Sequence, residues 1–597
     1  MKPTADMLEE RLTCAMRSVA AGADCAAMVR PTVDAKFGDY QANGVMALAN
    51  RRKTDPRHLA EKVLAVLKID DICEEPDIAG PGFINMRLKP AYVAARLMDI
   101  AGDRRGRLGI EKQADPRIVV VDFSGPNVAK QMHVGHLRST ILGDCICRLL
   151  DFLGHKVIQQ NHIGDWGTQF GMLIAHMHEQ CEFLREDEGL AADAEVLEKV
   201  HISDLEEFYR QARHEFDRDS LFAKAARQQV VNLHNHEDAA TRIWRHIVDE
   251  SRLHYQPVYD RLGVNLGREH ERGESFYADS LGGLIDELLK RGTARESNGA
   301  VCVFPPGFFN KDGQPLPFII RKSDGAYLYA TTDLAALRYR VKELKADRII
   351  YVTDARQKLH FEMLFATADM AGWAKKAELV HVTFGSILGG DGKPLKTRSG
   401  RNVRLSELLD EAVKRAGGIV EEKNPGLSRP EKSAIAEAVG IGSIKYADYS
   451  NNRQSDYVFS FDRMLAMDGN TAPYMQYAYA RIKSIERKAA KKDIGVEREL
   501  AGVQSVELSD AAEFDLAKCL CRYDEAVTAA AADYRPNYLT GYLYELSQKF
   551  SVFYTNCPVL GAEEAKRPTR LLLCKLTAAT IKHGLTELLG IRVPQRM

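Results

Sequence analysis

The chain lacks a C-x-x-C pair although it carries 11 cysteines in 597 residues. Cys145/Cys147 and Cys519/Cys521 are one residue apart in helix-like stretches. That spacing excludes a zinc ribbon or a disulfide framework and fits buried, reduced thiols. Charge of one sign is also lacking: 82 Lys+Arg against 83 Asp+Glu leave a formal net charge of −1. A global basic field is excluded, so nucleic acid has to be met by local patches. No apolar run approaches the ~20 residues needed to span a bilayer, and Met1–Glu10 holds no apolar signal-peptide core. These absences exclude a membrane protein and point to the cytoplasm. Repeats and low-complexity tracts are absent as well, which excludes a solenoid.

What is present is a hydrophobic content of 45% and a charged content of 28%, ordinary for a soluble globular chain. The length exceeds what one hydrophobic core can organise, so three or four domains are expected. Residues 1–112 read as a small α+β domain. It has helical pattern to Met28, a turn at Phe37–Gly44, a helix over Val45–Arg51, and a turn then an alternating strand in Ile78–Leu88. The charged stretch Asp103–Gly109 is the expected linker. From about 115 strands and helices alternate, with strands predicted at Ile118–Val121, Lys156–Gln160, Arg348–Val352 and Leu379–Phe384. The predicted fold class is α/β, a Rossmann-like parallel sheet over 113–404 that binds ligands at its strand carboxyl ends. A helical, charge-rich insertion interrupts it at about 183–275. A helical connector over 405–465 and an all-α bundle over 466–597 follow.

The chemistry concentrates where His133-Val134-Gly135-His136 opens a helix directly after the first of those strands. A helix start presents unpaired N–H groups and partial positive charge, which suits polyphosphate. Two imidazoles three residues apart share one face of the first turn and can donate to phosphate oxygens. Gly135 leaves room for a flat base. By itself an H-x-G-H can equally be a cap and a turn. Asp122, Ser124 and Asn127 lie on the lip of the sheet, where a carboxylate can pair with an ammonium or a guanidinium. Tyr329 and Asp333, with a helix start predicted near Thr331, can face one pocket suited to a planar cation.

The run from Val121 to Ser139, VDFSGPNVAKQMHVGHLRS, resembles the first signature of class I aminoacyl-tRNA synthetases in the form carried by arginyl-tRNA synthetases. The segments Asn161–Gly171, Ser323–Leu337 and Val352–His360 resemble that family in order and spacing, as does the end from Gly584 to Met597. The resemblance covers essentially the whole chain. It implies that Asp122, Ser124, Asn127, Tyr329, Asp333 and Gln357 hold arginine, and that His133, Gly135 and His136 serve ATP. The family's second signature is matched by Gly390–Gly400, where Lys396 takes the place of the first lysine but Ser399 stands where the second is expected. Two residues remain as compensators for that missing charge, Lys130 just ahead of His133 and Arg398 in the loop itself.

The resemblance further implies tRNA contacts at both ends. In the bundle, aromatics interleave with bases around Tyr474–Lys492, and Tyr474 and Met597 are the expected contacts; Tyr92, read as exposed, is the expected stacking ring in the amino-terminal domain. The implied reaction is arginine activation with Mg-ATP to an adenylate, then transfer to tRNA, by a monomer with no resident metal site. A small-metabolite adenylate-forming enzyme on the same strand–helix unit and a non-catalytic RNA-binding relative are the alternatives. An arginine-dependent ATP–pyrophosphate exchange separates all three.

Overall fold

The computed structural model describes residues 1–20, 24–32, 34–188, 197, 199–396 and 402–597. The amino-terminal region carries a four-stranded antiparallel sheet in the order Val29–Pro31, Tyr40–Ala42, Phe83–Met86, Asp77–Ala79. Tyr40–Ala42 is thus a strand where the sequence reads as a turn, because its partner Ile84–Met86 lies more than forty residues away and leaves no local signal. Helix Pro90–Gly102 closes this unit against the carboxyl-terminal helices, where buried Arg96 meets Asp524 at 3.1 Å and the Tyr40 hydroxyl donates to Glu525 at 2.6 Å.

The catalytic sheet is fully parallel, built from β1 (Ile118–Asp122), β2 (Lys156–Gln160), β3 (Arg348–Asp354) and β4 (Glu378–Phe384) in the order β4-β3-β1-β2. Val119, Val120 and Val121 are fully buried, as a β-branched run in a sheet covered on both faces should be. The chain leaves β1 toward β2 on one side and reaches β3 on the other. That reversal opens a crevice at the carboxyl ends of β1 and β3.

Helix α1 (Val134–Phe152) follows β1 and starts at this crevice. It is buried nearly all round, since the carboxyl-terminal helices cover its outer side; Tyr449 donates to the Ile141 carbonyl at 2.9 Å. The insertion adds helices Gln169–Glu188, Leu205–Arg218, Ser220–His234 and Asp238–Leu262, packed on their own apolar cluster. A three-stranded antiparallel sheet (Ala294–Ser297, Ala300–Val303, Phe318–Arg321), not predicted from sequence, precedes α2 (Tyr329–Lys342). Helices Leu405–Lys423 and α3 (Arg429–Ser450) pack together and lead into the terminal bundle. Among the described residues no helix is long and apolar enough to cross a membrane. Cys145, Cys147, Cys519 and Cys521 are buried thiols.

Candidate active site

His133 is the N-cap of α1 and His136 closes a reciprocal cap with it. The Gly135 N–H donates to His133 Nδ1 at 3.1 Å, and the His133 N–H donates to His136 Nδ1 at 3.2 Å. With Nδ1 occupied as acceptor, each neutral ring carries its proton on Nε2. Burial pushes both imidazoles down, His136 to about 3 with help from neighbouring His133. The pair thus places two imidazoles held toward the neutral form at a helix N-terminus, an arrangement with donors free to face an anion. A Cβ on Gly135 would lie 2.7 Å from the His133 ring, so the glycine first admits that cap and then leaves the helix start exposed.

A cavity of about 590 Å³ fills the crevice. Asp122, Ser124, Asn127, Tyr329, Asp333 and Gln357 all line it together with His133, Gly135 and His136. The sequence-predicted cation recess and the helix start thus belong to one site. Helix α2 begins at Tyr329, two residues earlier than predicted, because Thr331 Oγ1 caps the Leu328 N–H. That leaves Tyr329 on the rim, 69% exposed. Asp333 lies one turn inside, with Oδ2 2.7 Å from His360 Nε2 and Oδ1 3.7 Å from His162 Nε2.

Other members of the set are already engaged. Asp122 pairs with fully buried Arg340 at 2.8 Å, and Arg340 also donates to Gln160 at 2.6 Å. The Ser124 hydroxyl meets Tyr259 at 2.7 Å and Thr140 at 2.9 Å. A Cβ on Gly164 would stand 2.4 Å from Asn127 Oδ1, so this close approach of backbone strands depends on the glycine.

Sequence reading missed Glu274, His162, His360 and Arg340. Glu274 is buried in the cavity wall, and burial, then the nearby Asp165 and Asp333 carboxylates, raise its carboxyl to about 8. Glu274 opens a short 3-10 turn, Glu274–Ser280, at the end of the helical insertion, where no local pattern marks a site residue. His162 sits in Asn161–Gly171, a segment that resembles the family without pointing to a role for it.

A second lobe of about 360 Å³ adjoins the first, sharing His133, Gly135, Asp354 and Phe384, and is closed by Gly385–Ile387, Arg138 and exposed Lys396. The Val134 N–H donates to the Val403 carbonyl at 3.0 Å and the Leu405 N–H to the Met132 carbonyl at 2.9 Å, so the two signature segments are stitched by backbone. Lys396 pairs with Asn402 across the loop; Arg398 lies outside the described residues. Lys130 is exposed, near enough to His133 to depress its pKa, and holds its amine 4.7 Å over the Tyr209 ring of the insertion.

The residues expected to meet tRNA differ from their predicted settings. Tyr92 is half-buried rather than exposed, its hydroxyl 3.0 Å from Thr4 Oγ1, because its helix turns that face inward. Tyr474 is half-buried against Tyr544 at 5.7 Å. Met597 packs on the cluster formed by Ala416, Val420, Ile435, Val439 and Leu465. The outward ring on the Tyr474 helix is Tyr477, with Arg481 4.7 Å over it and 5.3 Å from Tyr554.

Residues 103–461 match the family model described as tRNA synthetases class I (R), catalytic domain. Residues 6–88 match the arginyl tRNA synthetase N terminal domain, and 475–597 match the DALR anticodon binding domain. The chain is 50% identical over 573 residues to an arginine–tRNA ligase of Synechococcus sp., covering 95% of this chain and 94% of that one. It is 46% identical to the arginine–tRNA ligase of Hahella chejuensis over 99% of both. Among solved structures it is similar to arginyl-tRNA synthetase of Plasmodium falciparum, at TM-score 0.84, 28% identity and full coverage of both chains. The Thermus thermophilus enzyme is similar at TM-score 0.78 and 26% identity, again with full coverage of both.

Proposed function

The chain belongs to the class I arginyl-tRNA synthetases, arginine–tRNA ligases that use ATP, and from that premise we propose how its residues divide the work. Arginine occupies the larger lobe with its guanidinium between Asp333, Glu274 and the Tyr329 phenol. Its α-ammonium meets Asn127, Gln357 and the free oxygen of Asp122, with Ser124 holding the lip of β1. The single observation that carries this reading is the wall Asp333–Glu274, an acidic recess opening onto the His133–His136 helix start. A flat cation that donates two parallel hydrogen bonds fits there better than lysine's point charge.

ATP lies across the smaller lobe with its phosphates toward α1. The arginine carboxylate attacks the α-phosphorus, the bond to the β-phosphate oxygen breaks, and pyrophosphate leaves with the electron pair. No proton has to move in that step, so positioning and charge neutralisation do the catalysis. His133 and His136 donate Nε2–H bonds to the phosphates; Lys130, with Lys396, neutralises the pyrophosphate end. Lys130 takes precedence over Arg398 because it stands beside His133 in the turn that receives the phosphates. Magnesium comes with the ATP phosphates, and no residue is assigned to it. The terminal tRNA ribose then displaces AMP.

Residues 1–112 and 466–597 grip the tRNA, through the terminal bundle at the anticodon, where Tyr477 and Arg481 join Tyr474 and Met597 as candidates. The enzyme works as a cytoplasmic monomer. Arginine-dependent ATP–pyrophosphate exchange, with and without tRNA, tests the reading; exchange driven equally by lysine would overturn the assignment of the recess.

A further inference from the structure

Two residues after His136, Arg138 lines the inner wall of the nucleotide lobe and its side chain is buried. It is 2% exposed and its Nε lies 3.0 Å from Oδ2 of Asp448 on α3, which is fully buried. Its Nη1 donates to the Gly385 carbonyl at 2.8 Å and to the Ser455 carbonyl at 3.0 Å. The rings of Tyr457 and Phe384 flank the guanidinium at 5.3 and 5.8 Å. One cation thus joins the signature helix, the wall of the nucleotide lobe, the connector helix and the segment that follows it.

That following segment is what supports the wall. The Gly385 N–H donates to the Arg453 carbonyl at 2.9 Å, and Arg453 Nη1 donates to the Thr383 carbonyl at 2.6 Å. The Ser386 N–H donates to Asp456 Oδ1 at 2.5 Å, and the Tyr457 N–H to the Ser386 carbonyl at 3.2 Å. Ile387 and Leu388 pair in parallel with Tyr457 and Val458. A Cβ on Gly385 would meet Asp456 Oδ1 at 2.6 Å and the Ser455 carbonyl carbon at 2.7 Å, so the two backbones touch without room for a side chain. Gly385–Ile387 lies past the end of β4, and among the described residues its backbone is held by the connector, by Arg138 and by the Leu395 N–H, which donates to the Ile387 carbonyl at 3.0 Å.

We propose that Arg138 and Asp448 are positioning residues for the nucleotide, fixing the Gly385–Ile387 wall against which ATP is seated, without touching arginine. The inference rests on reading the smaller lobe as the ATP site. One guanidinium nitrogen, Nη1, donates to both carbonyls at once, and Asp448 supplies the counter-charge, so loss of either lets the wall shift relative to His133. Displacements on the scale of an ångström are enough to cost large factors in rate or affinity.

The test is steady-state pyrophosphate exchange on the full-length chain with tRNA, reading the Michaelis constants for ATP and arginine separately. Arg138→Met combined with Asp448→Leu replaces the buried pair by apolar groups, an exchange that folding tolerates well. We expect its ATP constant to rise about tenfold or more, with the arginine constant within about twofold. Arg138→Lys should fall between, since an ammonium can face Asp448 but not both carbonyls. Asp456→Ala, at an exposed position, removes the acceptor of the Ser386 N–H and should also raise the ATP constant if the connector supports the wall; Arg138→Lys stands in for the double variant if that does not fold. Ser386→Trp, which fills the lobe, reports on the lobe itself. If it leaves the ATP constant unchanged, the lobe reading fails and the inference with it. If Ser386→Trp raises the constant while the folded double variant, or in its place folded Arg138→Lys, leaves it at the wild-type value, Arg138 and Asp448 are structural only. An equal rise for ATP and arginine overturns the proposal in the same way.

Discussion

His360 Nε2 lies 2.7 Å from Asp333 Oδ2, and His162 Nε2 approaches the other carboxylate oxygen at 3.7 Å. The carboxylate is held from two sides with its remaining lone pairs toward the cavity. Asp333→Ala is expected to raise the Michaelis constant for arginine by roughly 10–100-fold, the worth of a charge-assisted hydrogen bond. His360→Ala should raise it less, because it removes the orientation and keeps the charge. Steady-state exchange at saturating ATP checks both; an unchanged arginine constant for Asp333→Ala removes that residue from the recess.

Glu274 supplies a pH dependence with a definite sign. Its folded pKa, about 8, stands above the ordinary 4.5. Between those values the folded state binds more protons than the unfolded, so this group's contribution to stability declines as pH rises through that window and is constant above it. Arginine's cation favours the ionised carboxylate, so binding expels a proton below pH 8. Affinity should weaken as pH falls, by up to about tenfold per unit. Calorimetry at pH 7 in two buffers of different ionisation enthalpy should show proton release that Glu274→Gln abolishes.

On the proposed role of the two imidazoles as neutral donors, no limb of the pH–rate profile above pH 5 should belong to His136, which burial holds down at about 3. Replacing His133 or His136 by Asn should cost about 10²–10³ in kcat, as for a lost oxyanion donor, with the arginine constant little changed. Rapid-quench measurement of adenylate formation reads this directly.

Lys130→Ala should slow pyrophosphate exchange more than Arg398→Ala does, by about tenfold or more if Lys130 carries the phosphate charge. The reverse order would hand the role to the loop arginine.

Gly143 packs beneath the site loop: a Cβ there would stand 2.2 Å from Phe123 Cγ. Gly143→Ala should destabilise the catalytic region by about 1–3 kcal/mol through overpacking. It should also lower kcat/KM, because Phe123 precedes Ser124, whose backbone is held at φ 73°. Thermal unfolding followed by circular dichroism, beside the exchange assay, checks both effects.

Much of the site was legible without coordinates where function leaves local traces. The valines of β1, the cap-and-helix grammar of His133–His136 and the order of the later segments are all local, and each signals itself within a few residues. Settings that depend on distant partners were not legible. Tyr92 reads as exposed until Thr4 is placed against it, and Met597 reads as a tRNA contact with nothing local to show that it packs on Ala416 and Val439. Asp122 reads as an open carboxylate, yet buried Arg340 claims one of its oxygens.

The sequence alone determined that this chain has a parallel sheet, a helix opening at His133–His136 directly after its first strand, and the motifs of the arginyl-tRNA synthetase family, because hydrophobic period, turn chemistry and motif spacing are properties of neighbouring residues. Only the tertiary structure decided that Glu274 and Asp333 line one recess, that the Nδ1 atoms of His133 and His136 are taken up in a reciprocal cap, and that Arg138 joins the signature helix to the connector. Those outcomes depend on burial and on contacts between segments hundreds of residues apart, which exist only once the chain has closed on itself.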